Sequence, residues 1–221
     1  PQAFVFSTPE ERQLAERRFA IPSSRCHIIG TGIDEQRRHE PHAFATSHGI
    51  DRPYVLALGR IDPSKGSGDL IDMHRAYRLT RPFGADLVMA GRSIMEVPDE
   101  EWLHTTGFLE WEDEKRDALA GCVALVTASP YESLSLVLLE AWAQGRPAIV
   151  TSRSDVLTAQ VRRAQAGLCF DNAAEYAACI DLLAARPAIA WALGRAGWRF
   201  ARAMGWPKVT TRLMTVLEGV A

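Results

Sequence analysis

The strongest constraint on the fold of this 221-residue chain is a series of short apolar segments that alternate with helical patterns. The clearest ones are residues 54–58, 85–90, 123–127 and 147–150, and the first two are each followed at once by Gly-Arg. This alternation is typical of βαβ units, in which parallel strands are buried between helices. The sequence therefore predicts an α/β protein with a parallel sheet and helices on both faces.

Composition indicates a globular protein without an obvious nucleic-acid or membrane-spanning function. The chain is 47% hydrophobic and 24% charged, which suits one large or two small domains. The net charge of −2 gives no electrostatic case for a nucleic acid or an acidic membrane as a partner. We find no signal peptide and no apolar run long enough to cross a bilayer. The widely spaced cysteines, without a C-x-x-C pair, are predicted to be reduced thiols of a cytosolic protein.

The order of segments predicts several parts of unequal size. Because the chain begins with Pro1 and enters a strand-like segment at once, we expect it to be a piece of a longer protein. Residues 1–34 are predicted to be the end of a preceding domain and a crossover. Residues 35–52 have little apolar periodicity and are predicted to be a linker or loop. Residues 53–204 are predicted to form the main domain, and residues 205–221 a C-terminal helix.

Polar residues follow three of the predicted strands, at 59–60, 91–92 and 129–132. Because the carboxyl ends of parallel strands meet at one edge of a sheet, these residues should gather there. Arg60 and Lys65 flank a turn at this edge, and two fixed cations suit a dianion such as a diphosphate. Taken alone, two such cations are more often solvated loop charges than a binding site.

The segment after the third of these strands holds two glutamates beside a helix that is predicted to begin near Leu134. Ser133 and Ser135 lie at its start, where free backbone N–H groups favour phosphate, although Ser133 could simply cap the helix. Glu132 and Glu140 are surrounded by leucines, so neither is a typical solvent-facing glutamate. Carboxylates accept hydrogen bonds only, which makes the vicinal hydroxyls of a ribose or hexose their natural partners.

Other functional signatures are weak or absent. The histidines lack metal-ligand spacing, and no Asp-x-Asp occurs. Gly30-Thr-Gly32 lacks the third glycine and the helix of a dinucleotide fingerprint, so a dehydrogenase ranks last. Neither a P-loop nor a Gly-x-Ser-x-Gly elbow is present.

Two motifs resemble those of one known family and follow each other in the same order along the chain. Residues 59–66 (GRIDPSKG) resemble the "GR…KG" loop of retaining glycosyltransferases with the GT-B architecture, the group 1 or family 4-like enzymes. A second stretch resembles the E-x7-E motif of that group: seven residues separate Glu132 from Glu140, and residues 145–147 (GRP) follow. The resemblance covers about residues 26–219. It implies two facing Rossmann-like domains, of which this chain is the C-terminal, donor-binding one.

The resemblance also implies individual roles in binding a UDP-, GDP- or ADP-sugar. Arg60 and Lys65 would hold the diphosphate, Glu132 the transferred sugar and Glu140 the ribose, with the first three forming the catalytic set. Amides near residues 134–136 would assist at the phosphate, and the base would lie against residues 107–109. The implied donor-site residues are Gly59, Arg60, Lys65, Phe108, Leu109, Glu132, Ser133, Leu134, Ser135, Leu136 and Glu140.

The implied reaction needs neither a metal nor a cofactor, because Arg, Lys and a helix dipole can supply the positive field. The acceptor, a saccharide or lipid, would be held by a missing N-terminal domain, so the fragment alone should transfer little. The full-length protein would be cytoplasmic, with or without peripheral association at the inner face of the membrane. Ser135 and Trp142 depart from the Gly and Met that are frequent in this group, which leaves donor details open.

Two alternatives share the fold. One is a non-catalytic nucleotide-sugar-binding module, and the other is a GT-B epimerase acting on UDP-N-acetylglucosamine. Intact Arg60, Lys65, Glu132 and Glu140 favour the transferase over a decayed module.

Overall fold

The computed structural model describes residues 1–34 and 40–220 of the chain. In these residues the strands are β1 (Phe4–Phe6), β2 (Cys26–Ile28), β3 (Tyr54–Leu58), β4 (Asp86–Ala90), β5 (Leu103–Gly107), β6 (Ala124–Thr127), β7 (Ala148–Thr151) and β8 (Gly167–Phe170). The helices are α1 (Pro9–Phe19), α2 (Ala43–Ser47), α3 (Ser67–Thr80), α4 (Glu112–Gly121), α5 (Leu136–Ala143), α6 (Asp155–Ala164), α7 (Ala173–Ala185), α8 (Pro187–Arg202) and α9 (Trp206–Val220).

The main sheet has six parallel strands in the order β5-β4-β3-β6-β7-β8. This is the strand order of the doubly wound Rossmann fold, whose direction of winding reverses between its two central strands. Here the reversal falls between β3 and β6. The predicted α/β class and parallel sheet are therefore confirmed, and the crevice that such folds use for ligands lies at the carboxyl ends of these two strands.

Two hydrophobic clusters cover the two faces of the sheet. Leu56 and Leu125 join the cluster beneath α4 and α5, whereas Val55 and Val126 point into the cluster beneath α3 and α7. Adjacent residues of β3 and β6 are thus buried on opposite faces, which explains why these strands are continuous apolar runs. Full burial of each such side chain stabilises the fold by about 1.5–3 kcal/mol.

Side-chain caps fix the starts of α1 and α7. The Thr8 hydroxyl accepts a hydrogen bond from the Glu11 amide at 3.2 Å, and the Asn172 side chain accepts one from the Glu175 amide at 3.0 Å. Glu175 in turn accepts from the Asp171 amide at 2.8 Å. The sequence indicates both caps, since Thr8 precedes Pro9 and two glutamates, and Asn172 stands three residues before Glu175.

The predicted linker at residues 35–52 contains a helix. Residues 35–39 lie outside the described part of the chain, but residues 43–47 form α2, and Phe44 is 1% exposed. The Phe44 ring lies 5.9 Å from that of Tyr54, and α2 packs on α4. The prediction of a linker or loop is therefore wrong for α2, because burial of Phe44 outweighs the polar composition around it. The domain boundaries themselves stay a prediction.

Residues 1–34 form a small parallel pair, β1-β2, which is held by α9. Arg212 of α9 donates a hydrogen bond to the Ile29 carbonyl at 3.1 Å, and Ile33 forms a β-bridge with Gly205. Among the described helices none alone is long and apolar enough to span a bilayer, and only α7 and α8 together pass that test, across a 99° bend.

Candidate functional site

The turn after β3 is organised by a buried carboxylate. Asp62 is 1% exposed and accepts hydrogen bonds from the Ser64 hydroxyl, the Arg60 guanidinium and, at 3.1 Å, the Lys65 amide. These bonds, that from Ser64 foremost, lower the pKa of Asp62 to about 2. Asp62 therefore carries a fixed negative charge that orients Arg60 and shapes the turn.

Glycine at position 66 lets this turn approach the end of β6. Gly66 has φ +69°, and a Cβ atom placed on it would lie 2.4 Å from the Ala128 carbonyl oxygen. No other residue type fits both the backbone conformation and this contact. The turn after β3 and the segment after β6 are thereby packed backbone to backbone.

An ion pair joins the two segments at the same place. Lys65 Nζ lies 2.8 Å from Glu132 Oε1, and the Glu132 side chain is about four-fifths buried. The sequence predicts that residues 59–60 and 129–132 gather at one edge of the sheet, and the structure places them there. Each cation is also paired with a carboxylate, Lys65 with Glu132 and Arg60 with Asp62, which the sequence does not predict.

A cavity of about 240 Å³ opens between these segments, where the strand order reverses. We call it the switch-point cavity. It contains seven of the predicted donor-site residues, namely Gly59, Arg60, Lys65, Glu132, Leu134, Ser135 and Leu136. Its charged groups lie near the start of α5, and Leu58, Val126 and Val137 supply apolar walls.

Gln160 holds the backbone just before α5. Its side-chain oxygen accepts from the Ser135 amide at 3.2 Å, and its side-chain nitrogen donates to the Ser135 carbonyl at 3.1 Å. Among the amides near residues 134–136 that the sequence predicts to assist at a phosphate, that of Ser135 is thus already paired with Gln160. The amides of Leu136 and Val137, in the first turn of α5, have no acceptor within the helix and border the cavity.

Ser133 has a different structural role from the cap considered above. The helix N-cap is Ser135, which makes no side-chain capping bond. The Ser133 carbonyl instead accepts a hydrogen bond from the Thr8 hydroxyl at 3.2 Å, and Thr8 is 1% exposed. The start of α1 thus buttresses the segment that carries Glu132.

Glu140 lies in a second, adjoining cavity rather than beside Glu132. Lys115 of α4 contacts Glu140 at 3.0 Å and Glu112 at 2.9 Å. Burial disfavours the charged lysine, but the two carboxylates outweigh it and raise the pKa of Lys115 above its usual value. This cavity, of about 170 Å³, is also lined by Leu136, which separates it from the switch-point cavity.

Phe108 and Leu109 follow β5 and lie in different surroundings. Phe108 is 68% exposed at the end of β5 and lines a third cavity, of about 420 Å³, together with Arg92. Ile61 borders both this and the switch-point cavity. Leu109 packs against the hydrophobic core. Nine of the eleven predicted site residues therefore line these three adjoining cavities, and Ser133 and Leu109 line none of the three.

Sequence reasoning missed three residues that organise the site: Asp62, Lys115 and Gln160. Asp62 precedes Pro63, and that pair signals a turn but not a buried charge. Lys115 and Gln160 come from helices distant in sequence, and nothing local identifies their partners. Among the described residues no group of three His, Cys, Asp or Glu side chains is placed to hold a metal ion, and all four cysteines are free.

Comparison with known proteins places the chain in a family. A profile described as glycosyl transferases group 1 matches residues 52–186. The lipopolysaccharide core biosynthesis glycosyltransferase LpsE of Rhizobium meliloti is 30% identical over 147 residues, covering 61% of this chain and 40% of that protein. The MMP alpha-(1->4)-mannosyltransferase of Mycolicibacterium hassiacum is 28% identical over 147 residues, covering 63% of this chain and 34% of that protein. The chain thus spans less than half the length of these two relatives.

Solved structures share the fold over nearly the whole chain. Anabaena HepE in complex with UDP has a TM-score of 0.82 at 15% identity, over 99% of this chain and 64% of that one. Sucrose-phosphate synthase from Thermosynechococcus elongatus has a TM-score of 0.77 at 21% identity, over 98% of this chain and 57% of that one. The structural likeness identifies the GT-B type of Rossmann-like domain, and the profile match covers more than half of the sequence. The chain belongs to the glycosyl transferases group 1 family.

Proposed function

We propose that this chain is the donor-binding half of a retaining glycosyltransferase that takes a nucleoside-diphosphate sugar. The observation that carries the proposal is the switch-point cavity, where Arg60, Lys65, Glu132 and the start of α5 surround one space. Some structural relatives are complexes with UDP or UDP-glucose, which supports a nucleotide sugar as the ligand.

In this proposal the diphosphate binds between the two cations and the start of α5. Arg60 offers a planar pair of donors and Lys65 a point charge, and the amides of Leu136 and Val137 add a partial positive charge. Together they stabilise the negative charge that grows on the diphosphate as its bond to the sugar breaks, so no metal is needed for that purpose. The acceptor hydroxyl attacks from the same face, and its proton passes to the departing phosphate oxygen, which retains the configuration.

The two glutamates orient the donor on either side of the diphosphate. Glu132 accepts hydrogen bonds from hydroxyls of the transferred sugar, while Glu140, held by Lys115, accepts from the ribose. Their separation into adjoining cavities on either side of Leu136 suits a ligand that extends from one cavity to the next. The base is bonded to the ribose, so it would lie on the Glu140 side, at the Leu109 end of residues 107–109, because Leu109 packs on the hydrophobic cluster that contains α5.

We further propose that a saccharide or lipid acceptor is held by a preceding domain, of which residues 1–34 are the end. The contact from Thr8 to Ser133 supports this arrangement, because it joins that segment to the donor side of the cleft. The complete protein would act at the cytoplasmic face of a membrane or in the cytoplasm.

Thermal unfolding of this chain with UDP, GDP or ADP tests the proposal directly. Each nucleotide is added with and without EDTA, and inorganic phosphate serves as the control. One nucleotide should raise the melting temperature in the presence of EDTA, because a ligand at about 100 times its Kd stabilises by about 2.7 kcal/mol. The proposal is wrong if none of the three shifts the transition more than phosphate does, and its metal-free part is wrong if EDTA abolishes the shift.

A further inference from the structure

Helix α8 presents one exposed face of tryptophan and arginine. Trp191, Arg195, Trp198 and Arg202 follow one another at helical spacing, and at about 100° per residue they fall within an arc of about 60°. Trp191 is 63% and Trp198 40% exposed. The Arg195 guanidinium lies 5.0 Å from the Trp191 ring centroid, and that of Arg202 lies 4.8 Å from the Trp198 centroid. We call these four residues the α8 stripe.

A different face of α8 attaches the helix to the protein. Gly194, Gly197 and Ala201 are buried, and a Cβ atom on Gly194 would lie 1.9 Å from the Gly145 carbonyl oxygen. Phe200 adds an edge contact to Trp142 of α5, with ring centroids 5.6 Å apart. The α8 stripe is therefore not needed to dock the helix, and its exposed aromatic surface calls for another explanation.

The surrounding sequence is basic in a chain that is otherwise acidic. Residues 182–217 contain six Lys or Arg and no Asp or Glu. The whole chain has 25 basic and 27 acidic residues, so the remainder holds nineteen basic residues against all 27 acids. The partner that matches this region in charge is an anionic one.

The α8 stripe runs along the flank of the sheet. At its start, Trp191 and Arg195 border a groove of about 890 Å³ beside Pro53 and Pro147, which precede β3 and β7. The charged residues of that groove are Arg146 and Arg195, and no acid lines it. At the other end Arg202 borders a second cavity with Ile33, where Lys208 adds another cation and Asp34 an acid. The stripe thus extends from the amino-terminal edge of the strands to the crossover segment.

We propose that the α8 stripe docks the protein onto an anionic phospholipid bilayer. Tryptophan partitions to the interface between headgroups and acyl chains, where its ring is buried and its N–H stays hydrated. Arginine places its apolar stem in the same layer while its guanidinium binds lipid phosphate. A soluble polyanion without aromatic groups would use the cations but would leave the tryptophans without a function, and a single-stranded nucleic acid, whose bases can stack on tryptophan, is distinguished by the experiment below. This inference assigns a surface to the membrane association proposed above, but it does not depend on nucleotide binding.

Co-sedimentation of this chain with vesicles tests the inference. Phosphatidylcholine vesicles are compared with vesicles that also contain phosphatidylglycerol. We expect binding to the anionic vesicles that falls as salt is added. Replacing Arg195 and Arg202 by Ala should lower the partition coefficient about 25-fold, at about fivefold for each arginine, and Trp191→Ala should lower it several-fold.

Matched controls come from elsewhere on the surface. Arg17 and Arg18 are exposed on α1, and Trp111 is 74% exposed. The R17A/R18A double variant and W111A should bind anionic vesicles like the unaltered chain, and circular dichroism melts establish that every variant is folded.

Four results would overturn the inference. The first is no binding to anionic vesicles, and the second is equal binding by all variants. The third is that the unaltered chain also binds a DNA oligonucleotide and the arginine variants lose this binding to the same extent as they lose vesicle binding, which would make the α8 stripe a general polyanion surface. The fourth is a concentration-dependent dimer that W191A abolishes, which would identify a second copy of the chain as the occupant.

Discussion

At the scale of single residues, the switch-point cavity is built from charges that neutralise one another. Arg60 binds Asp62, and Lys65 binds Glu132 at 2.8 Å. Asp62 is buried and fixed by several hydrogen bonds, so Arg60 keeps its partner. Glu132 is more exposed than Asp62, and among the described contacts its side chain is held by Lys65, so this second pair can open. A diphosphate that binds Lys65 would therefore release Glu132, which becomes free to accept hydrogen bonds from a sugar.

The variant Glu132→Gln should consequently tighten the binding of UDP to this chain. It removes the carboxylate that competes for Lys65 and repels phosphate, and partly exposed pairs of this kind contribute up to about 1 kcal/mol. We expect a Kd lower by up to about fivefold in isothermal titration calorimetry. Asp69→Asn, which removes the acid of the exposed pair with Arg153, serves as the control and should leave the Kd unchanged. Weaker binding by Glu132→Gln would show that Glu132 helps to hold the nucleotide itself.

Lys115 offers a second test, because it positions Glu140 without lining the switch-point cavity. Lys115→Met should weaken UDP binding about fivefold, the loss expected for one misplaced hydrogen bond of about 1 kcal/mol. Binding of inorganic pyrophosphate, which has no ribose, should be unchanged. If both ligands lose affinity equally, Lys115 contributes to the phosphate site and Glu140 has no ribose role. Lys208→Met on α9 removes the same charge elsewhere and is the matched control.

The residues that the sequence predicts at the site and those that it misses differ in the range of their contacts. Arg60, Lys65 and Glu132 follow strand ends, and parallel strands align those ends whatever the details of packing. Lys115 and Gln160 act on residues 25 positions away in the sequence. Their partners depend on how α4 and α6 pack, which no local pattern encodes.

At the scale of elements, the contact between the turn after β3 and the segment after β6 depends on Gly66. Gly66→Ala should destabilise the protein by about 2–4 kcal/mol, since it combines a left-handed backbone with an overlap on the Ala128 carbonyl. Gly68→Ala is the matched control. It lies two residues on, within α3, where the nearest atom to an added Cβ is Met95 Cε at 3.9 Å. There alanine should be neutral or stabilise by up to about 1 kcal/mol.

Urea unfolding midpoints decide between these expectations. Similar midpoints for Gly66→Ala and the unaltered chain would mean that the close approach of the two segments is not required. A large loss for Gly68→Ala would mean that the two positions are equally constrained, which contradicts the geometry.

His74 makes the packing of α3 against α7 dependent on pH. Burial, above all, lowers its pKa to about 3, and its ring nitrogens contact the Tyr176 hydroxyl at 2.8 Å and the Ala85 carbonyl at 3.0 Å. The unfolded chain, with an ordinary histidine pKa near 6.5, binds this proton first. The contribution of His74 is therefore complete above about pH 6.5 and falls by about 1.4 kcal/mol per pH unit as the pH drops toward 3.

Urea unfolding of the unaltered chain and of His74→Phe between pH 7 and 4.5 isolates this effect. The variant will be less stable at pH 7, because it loses two hydrogen bonds, but its free energy of unfolding should fall less steeply. Parallel slopes for the two proteins would contradict the buried neutral state of His74. The range stays above the pH at which Asp62 is protonated, since its pKa is about 2.

The sequence predicts strands and helices correctly where the local residue pattern agrees with the packing. The bounds of β3 match the predicted segment 54–58, and the capping patterns at Thr8 and Asn172 mark the helix starts. The start of α5 was placed near Leu134 but is Leu136, because Gln160 holds Ser135 in an extended conformation. The five-residue α2 was missed, since one buried phenylalanine gives no periodicity.

At the scale of the whole molecule, the strand order determines where a ligand can bind. The winding reverses between β3 and β6, and the two segments that follow these strands meet through Gly66 and the pair between Lys65 and Glu132. The sequence predicts the edge of the sheet but not the division into adjoining cavities, because that division depends on Leu136 and Ile61. Burial of Thr8 against Ser133 likewise appears only in three dimensions.

The most direct test of the central claim is calorimetric titration of this chain with UDP and GDP, before and after Arg60→Ala and Lys65→Ala. Each substitution removes a charge-assisted hydrogen bond, so the nucleotide that binds should lose about 1–3 kcal/mol of binding free energy in each variant. Arg17→Ala, on the exposed surface of α1, should change nothing. Unchanged affinity in both cavity variants would show that the diphosphate binds elsewhere and would contradict the account.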